Sequence, residues 1–442
     1  MRRFLTNVKL TPPQFLVFVF LGFILLGTFL LKIPFASTEP ISWVDALFTS
    51  TSAMTVTGLI TVDTGTAFTV FGECVIMLLI QVGGLGIMSF AILIFMMIGK
   101  KIGMRQRMYV QQALNQTTIG GVILLVKRLF VFSIISELIA VILLTIRWAP
   151  EMGLGQGLYA SVFHAISAFN NAGFSIWSDS LMGFVGDPVV NLIITFLFIT
   201  GGIGFTVLTD LWAEKEFRHL SLHTRLMLIG SLIINVFAFL IIFIFEYNNP
   251  ATLGPLSSGE KILASYFQAV TPRTAGFNTL DIGSMEDSSI ILMLLLMFVG
   301  GGSASTAGGI KLTTFLIICF AVYTFLRGKY EIVIWKRTID PHLLLKALAI
   351  ATIGLAFIFT AILLLSITER HTSMLPLIFE VFSAFGTVGL SMGVTGELTA
   401  IGKVIIILIM FIGKIGPLTL AFSLARQSTE KIRYPRGDIL AG

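Results

Sequence analysis

Long and short apolar runs alternate along the chain with a repeating rhythm. The long runs fall near 14–33, 127–146, 225–246 and 345–367, and each is long enough to cross a bilayer. Each is followed by a shorter segment of about 12 residues, near 43–54, 157–169, 259–271 and 374–385. That length spans little more than half of a hydrocarbon layer of roughly 30 Å. A polar, glycine-bearing stretch comes next, then a second apolar run, near 68–98, 189–211, 289–326 and 402–424. Only the third of these carries an obvious interruption. The pattern predicts span, half-helix, glycine loop and span, four times over: eight spans and four re-entrant segments.

The polar stretches resemble one another. "TSAMTVTGL", "SAFNNAGF", "VTPRTAGF" and "SAFGTVGL" align on Gly58, Gly173, Gly276 and Gly389. A large apolar residue follows each glycine (Leu59, Phe174, Phe277, Leu390), and an aromatic lies ten residues before it (Phe48, Phe163, Tyr266, Phe379). Serine stands six before in three of the four, as Ser52, Ser167 and Ser383. Further on, glycine recurs in the second apolar runs, in "QVGGLG", "ITGGIG", "VGGGSA" and "FIGKIG". The repeats divide the chain into 1–100, 101–215, 216–338 and 339–442. The fold class expected is an all-α polytopic membrane protein, with four tandem helix–pore-loop–helix repeats in pseudo-fourfold arrangement around one pore.

Composition agrees. Of 442 residues, 56% are hydrophobic and 12% charged, about half the charged share of a soluble protein. The net charge of +6 is spread over alternate loops: Arg2, Arg3 and Lys9; Lys100, Lys101, Arg105, Arg107, Lys127 and Arg128; Lys215, Arg218 and Arg225; Arg327, Lys329, Lys336, Arg337 and Lys346; Arg426, Lys431, Arg433 and Arg436. The positive-inside rule then places both termini and these loops in the cytoplasm of a plasma-membrane protein whose first span is uncleaved. Charge split among loops on one membrane face argues against a nucleic-acid partner. Cys74 and Cys319 sit in apolar runs and read as small core residues. The five histidines have no ligand spacing, so neither a metal centre nor an enzyme is expected.

Irregular backbone at membrane depth is tolerated where it is buried in protein or lines a wet cavity. Four similar loops suit a cation filter, in which main-chain carbonyls replace an ion's water shell. Glycine reaches φ > 0 freely and turns neighbouring carbonyls toward an axis. The expected filter residues are Val56, Thr57 and Gly58; Asn171, Ala172 and Gly173; Thr274, Ala275 and Gly276; and Thr387, Val388 and Gly389. None is a carboxylate. Broken helices alone also fit a sodium- or proton-coupled secondary transporter with a midplane site. Four similar loops favour the filter.

"TVTGL", "NNAGF", "RTAGF" and "GTVGL", with "GGGSASTAGGIK" and "GKIGPLT", resemble the Trk/Ktr/HKT superfamily of potassium transporters over essentially the whole chain. The resemblance is greatest to KtrB-type membrane subunits, which begin directly with the first repeat. It implies a homodimer with one potassium pore per chain, no cofactor bound by this chain, and a cytosolic ring of nucleotide-binding, RCK-type (KtrA-like) regulatory subunits. A glycine in all four loops goes with potassium selectivity in this superfamily. The stretch 327–346, with Ile334 and Trp335, is a candidate surface for docking a cytosolic partner.

The interruption in the third repeat runs Gly300, Gly301, Gly302, Ser303, Ala304, Ser305, Thr306, Ala307, Gly308, Gly309, then Lys311. It lacks the G-K-[ST] succession of a nucleotide-binding P-loop, and no histidine is placed to activate its serines. It reads as a mobile loop across the pore beneath the filter. The resemblance implies a gate there, with a basic residue of the fourth repeat beside it, matched by Lys414. A lysine in mid-span costs roughly 2.5–3.5 kcal/mol on insertion scales, so Lys414 is expected to face the interior and find a partner. Arg273 would repel a cation at the axis; it is expected to point behind the filter toward Glu380 or Asp281.

Overall fold

Among the described residues, four helices carry enough consecutive apolar residues to cross a membrane, five if one sharply bent pair is counted as a single span. They belong to a computed structural model that describes residues 12–86, 89 and 122–416. The first, second and last basic clusters, apart from Lys127 and Arg128, lie outside the described residues. So do 90–98 of the expected second span and the end of the eighth.

Each repeat opens with one of the long helices: α1 (Pro12–Leu31), α5 (Val122–Met152), α9 (Leu222–Glu246) and α13 (Pro341–Thr368). The half-helices are α2 (Trp43–Thr55), α6 (Leu154–Phe169), α10 (Ser258–Val270) and α14 (Met374–Gly386), within three residues of the expected bounds. Their starts are set by local chemistry. Ser42 accepts from the Asp45 N–H, and Ser257 and Glu260 form a reciprocal capping box. A short turn of helix, α3 (Thr64–Ala67), follows the first half-helix.

The second apolar runs differ from expectation. Three were read as unbroken, and in all three the described helix stops short of the expected end. α4 (Val70–Leu85), α7 (Pro188–Ile203) and α15 (Ala400–Ile415) each have 16 residues and stop at a glycine with left-handed φ: Gly86 at 83°, Gly204 at 109° and Gly416 at 90°. After Gly204 the chain restarts as α8 (Phe205–Ala213), bent by 94°. In the third repeat α11 (Asp287–Phe298) stops earlier, and α12 (Leu312–Leu326) resumes after the loop. In the third repeat the chain thus leaves the helix at 299–311, where the other three second helices stop at a glycine. The glycine clusters of these runs, Gly83, Gly84 and Gly86, Gly201, Gly202 and Gly204, and Gly413 and Gly416, were visible in sequence, but glycine in an apolar run also serves close helix packing, so only the long interruption read as a break.

A small hairpin, β1 (Val333–Ile334) and β2 (Arg337–Thr338), joins the last two repeats. Arg225 stacks on the ring of its Trp335. Both cysteines are free, and Cys319 is exposed on α12, so it is not the core residue expected.

Packing between repeats is cyclic. The second helix of each repeat lies against the half-helix of the next: α4 on α6, α7 on α10, α11 on α14, and α15 on α2. At the last junction, Lys403 of α15 donates to Asp45 of α2 at 2.8 Å. The aromatics ten residues before the aligned glycines form the inner packing, with Phe48, Phe163 and Phe379 fully buried.

Candidate functional site

All four half-helices run into loops of one conformation. In each, the residue two before the aligned glycine and the glycine itself have positive φ. The pairs are Val56 (56°) and Gly58 (93°), Asn171 (58°) and Gly173 (68°), Thr274 (76°) and Gly276 (80°), Thr387 (50°) and Gly389 (95°). In extended backbone, successive carbonyls point to opposite sides. Reversing the hand at every second residue brings them toward one side. The left-handed region is unfavourable for β-branched Val56, Thr274 and Thr387, and such residues cost of order 1–3 kcal/mol each unless the surroundings enforce them.

The enforcing contacts begin at the helix ends. In repeats one, two and four the chain closes a Schellman-type turn, with Thr57, Ala172 and Val388 N–H bonded five residues back to Ser52, Ser167 and Ser383 O at 2.8 Å. The same serines use their hydroxyls on the loop. Ser52 and Ser383 accept from Gly58 and Gly389 N–H at 3.1 Å, and Ser167 donates to Phe174 O at 2.8 Å. The third repeat has no serine at that position. Thr271, one residue later, donates to Phe277 O at 2.5 Å instead. Pro272 supplies no N–H there, and Ala275 N–H closes the turn on Thr271 O. Behind the loops, Leu59, Phe174, Phe277 and Leu390 are buried.

The four loops face one another in order. A Cβ on Gly58 would overlap the Ala172 carbonyl oxygen; on Gly173 it would lie 2.7 Å from Gly276 Cα. On Gly276 it would overlap Val388 O, and on Gly389, Thr57 O. One-two, two-three, three-four and four-one contacts therefore close a ring of main chain with no room for side chains at the glycines.

A second set of glycines admits the second helices. A Cβ at Gly83, Gly201 or Gly413 would overlap the Met54, Phe169 or Phe385 carbonyl at the half-helix ends. Each is followed by the residue that differs among repeats: Gly84, Gly202, and Lys414.

The loop of the third repeat occupies the space beside this ring. Gly302 and Thr306 N–H donate to Gly202 and Gly201 O at 2.8 and 3.2 Å, and Phe205 N–H donates to Ala304 O at 2.8 Å, which ties the loop to the break in the second repeat. Gly300 N–H donates to Ile310 O across the loop's mouth. Ser305 satisfies two internal groups, donating to Gly302 O and accepting from Ala307 N–H, while Ser303 Oγ lies 3.3 Å from Thr313 Oγ1. Gly301 and Gly308 pass where a Cβ would press on Gly202 O and the Thr387 side chain; Gly309 has φ 65°. Two lysines hold adjacent carbonyls of the loop: Lys311 Nζ the oxygen of Ala307 and Lys414 Nζ that of Thr306, each at 2.5 Å. The Thr306 hydroxyl donates to Asn171 Oδ1 at 2.8 Å, and Asn171 Nδ2 lies 3.4 Å from Thr274 Oγ1.

Arg273 requires a correction. Its guanidinium donates to Asn235 Oδ1 at 2.9 Å and Ser231 Oγ at 3.3 Å, both on α9 of its own repeat. Glu380 is instead taken by Thr395 and Ser391, and Asp281 by Gly283 N–H and Ser284. Sequence spacing could not find Ser231 and Asn235. They lie four apart on one face of the otherwise apolar stretch 226–245 of that helix, and that was the available signal.

A further polar group was missed. Glu137, buried on α5, accepts from Gln81 at 3.2 Å and Ser133 at 2.9 Å, and Gln81 accepts from Asn170 at 2.7 Å, next to the loop residue Asn171. Gln81 and Glu137 are polar residues inside apolar runs, which marks such positions as functional or structural anchors. Among the described residues, no group of three or more His, Cys, Asp or Glu side chains is arranged to hold a metal ion.

Residues 12–432 match the TrkH family model, described as cation transport protein. The chain is 60% identical to Ktr system potassium uptake protein B of Bacillus subtilis, covering 98% of both chains. It is 43% identical to the protein of the same name in Vibrio alginolyticus, over 97% of this chain and 95% of that one. To the potassium/sodium uptake protein NtpJ of Enterococcus hirae it is 38% identical over 98% of each. In fold it is similar to the crystal structure of the potassium transporter TrkH from Vibrio parahaemolyticus, with a TM-score of 0.73 at 20% identity, over 95% of this chain and 86% of that one. The chain belongs to the TrkH family of cation transport proteins, on its Ktr-type side.

Proposed function

We propose that the chain is the pore-forming subunit of a potassium uptake system, with a filter made of main-chain oxygens at 56–58, 171–173, 274–276 and 387–389. The observation that carries this reading is the ring of four loops, each with the same paired positive φ. A ring of uncharged carbonyls favours a monovalent cation stripped of water over a strongly hydrated divalent one. The half-helices aim their C-terminal ends, the negative end of each helix dipole, toward the region that a cation must cross. Relatives named for potassium uptake support the ion's identity.

In this reading the loop 300–311 is the gate, latched by Lys311 and Lys414. Two ammonium groups near the path of a cation also form an electrostatic barrier. Release of the loop is driven from the cytoplasm by a nucleotide-binding regulatory ring, and the chain acts as a homodimer with a separate pore in each subunit. Both termini lie on the cytoplasmic side of the plasma membrane.

The test is the reversal potential of the purified chain in liposomes, under opposed potassium and sodium gradients. A reversal at the potassium equilibrium potential supports the pore. A reversal that follows the sodium or proton gradient at fixed potassium shows coupled transport and overturns it.

A further inference from the structure

The break at Gly204 has a second consequence, on the outer side of the second repeat. Because α8 leaves α7 at 94°, the two helices form an elbow, and α5 crosses its open side. The three enclose a groove of about 750 Å3, within the range of small-molecule binding sites. Its walls are apolar, with Phe132 of α5, Leu197 of α7, and Phe205 and Leu208 of α8. The face of α8 that lines it is spaced as one helical stripe: Phe205, Leu208, Thr209 and Trp212.

One end of the groove is chemically different. Lys127 and Arg128 of α5 both line it, both are exposed, and neither forms an ion pair among the described residues. Trp212 lies at the same groove and is 76% exposed. By the charge pattern this is the cytoplasmic end of α5, where anionic headgroups attract basic side chains and tryptophan prefers the interface. Arginine and lysine side by side offer a forked donor and a point charge, a pair suited to a phosphodiester.

We propose that the elbow binds an anionic phospholipid of the cytoplasmic leaflet, with a phosphatidylglycerol-type headgroup on Lys127 and Arg128 and an acyl chain along α8. An apolar occupant alone would leave both cations unmatched; a soluble anion would leave the apolar walls wet. A phospholipid satisfies both halves of the groove. The site adjoins the interrupted helix of the third repeat, since Phe205, which lines the groove, donates its N–H to Ala304 O.

The chain has five tryptophans, so the signal of Trp212 is isolated as the difference between the full chain and Trp212→Phe. The experiment measures quenching of that signal in bilayers containing phosphatidylglycerol or phosphatidylcholine brominated on the acyl chains. Two cations at roughly 1 kcal/mol each predict about a 30-fold preference for phosphatidylglycerol, lost in Lys127→Gln/Arg128→Gln. Equal quenching by both lipids would reduce the groove to ordinary annular contact. Preference that survives the double substitution would place the headgroup elsewhere, and no quenching by either lipid would mean that another protein segment fills the elbow; each overturns the proposal. The readout needs no ion flux, so it stands or falls apart from the filter and gate.

Discussion

Lys414 donates to the main-chain oxygen of Thr306 at 2.5 Å, from the position at which two other repeats carry Gly84 and Gly202. Those glycines let loop side chains approach: a Cβ on Gly84 would press on Asn170, and one on Gly202 would come within 3.1 Å of Asn171 Nδ2. In the fourth repeat the lysine fills the equivalent space and reaches the neighbouring repeat's loop. Its cost in the membrane is offset by this charge-assisted bond, of a kind typically about 1.5–3 kcal/mol. If the loop gates, Lys414→Ala is therefore expected to loosen it and raise basal cation flux in liposomes by about tenfold, the factor that ~1.4 kcal/mol represents. Lys414→Arg keeps a donor and should stay near the parent. Unchanged flux in a well-folded Lys414→Ala protein would mean that the bond is only structural.

The four aligned glycines differ in neighbour but not in kind. Each has positive φ, and a Cβ on any of them strikes the next loop's main chain. Gly58→Ser pushes on Ala172 O and is expected to raise sodium permeability relative to potassium. Gly389→Ser pushes on Thr57 O from the other side of the same loop and should do likewise. Ion competition in a rubidium uptake assay reads both. If Gly58→Ser alone changes the ratio and Gly389→Ser does not, the four loops do not share one pathway.

The long helices, the half-helices and the left-handed glycines were legible because each has a regular signature: length of apolar run, spacing from an aromatic, a residue type with special φ. The helix stops at Gly86, Gly204 and Gly416 were not, because clustered glycines in an apolar run fit close helix packing as well as a bend. Both roles occur here within four residues, in Gly201 and Gly204. The partners of Arg273 were out of reach for a different reason. An acidic partner is the natural expectation for an arginine, whereas Ser231 and Asn235 satisfy it with neutral oxygens on a helix about 40 residues earlier. Likewise Thr271 takes the serine's task from one position later, a shift that alignment on the glycine hides.

That substitution of role is open to test. Thr271→Ser keeps the hydroxyl that donates to Phe277 O, and should leave selectivity and thermal stability unchanged. Thr271→Val leaves a buried carbonyl without its donor, at a cost of about 1–3 kcal/mol. A lower unfolding temperature in detergent and reduced potassium over sodium selectivity are both expected. The same contrast is predicted for Ser52→Thr and Ser52→Ala, where the group left unpaired is Gly58 N–H.

Arg273 sits beside a small cavity of about 40 Å3 lined by Ser231, Asn235, Gly202 and Gly301. Asn235→Leu removes its closest acceptor, so the guanidinium loses one of its two hydrogen-bond partners. Destabilisation of about 1–3 kcal/mol is expected, read as a fall in thermal unfolding temperature. Asn235→Asp should recover stability, because a carboxylate there restores the acceptor and adds charge. No loss in Asn235→Leu would show that the cavity supplies an alternative partner.

The loop itself is bound on three sides: to Gly201 and Gly202 of the second repeat, to Lys414 of the fourth, and through the Thr306 hydroxyl to Asn171 of the ring. Deleting Gly301 to Gly309 removes all three attachments at once and should raise potassium flux and weaken dependence on a regulator. The deletion also removes the acceptor of Phe205 N–H, so a gentler variant is needed beside it. Thr306→Val leaves the main chain and the Lys414 bond in place and removes only the hydroxyl on Asn171. If the loop gates, the deletion should raise flux most, Lys414→Ala less and Thr306→Val least, all with the potassium over sodium ratio kept, because the ring is untouched. A deletion that folds, reaches the membrane and conducts no more than the parent makes the segment a structural break like that at Gly204. A changed ratio in Thr306→Val alone would instead make the segment a support of the ring through Asn171.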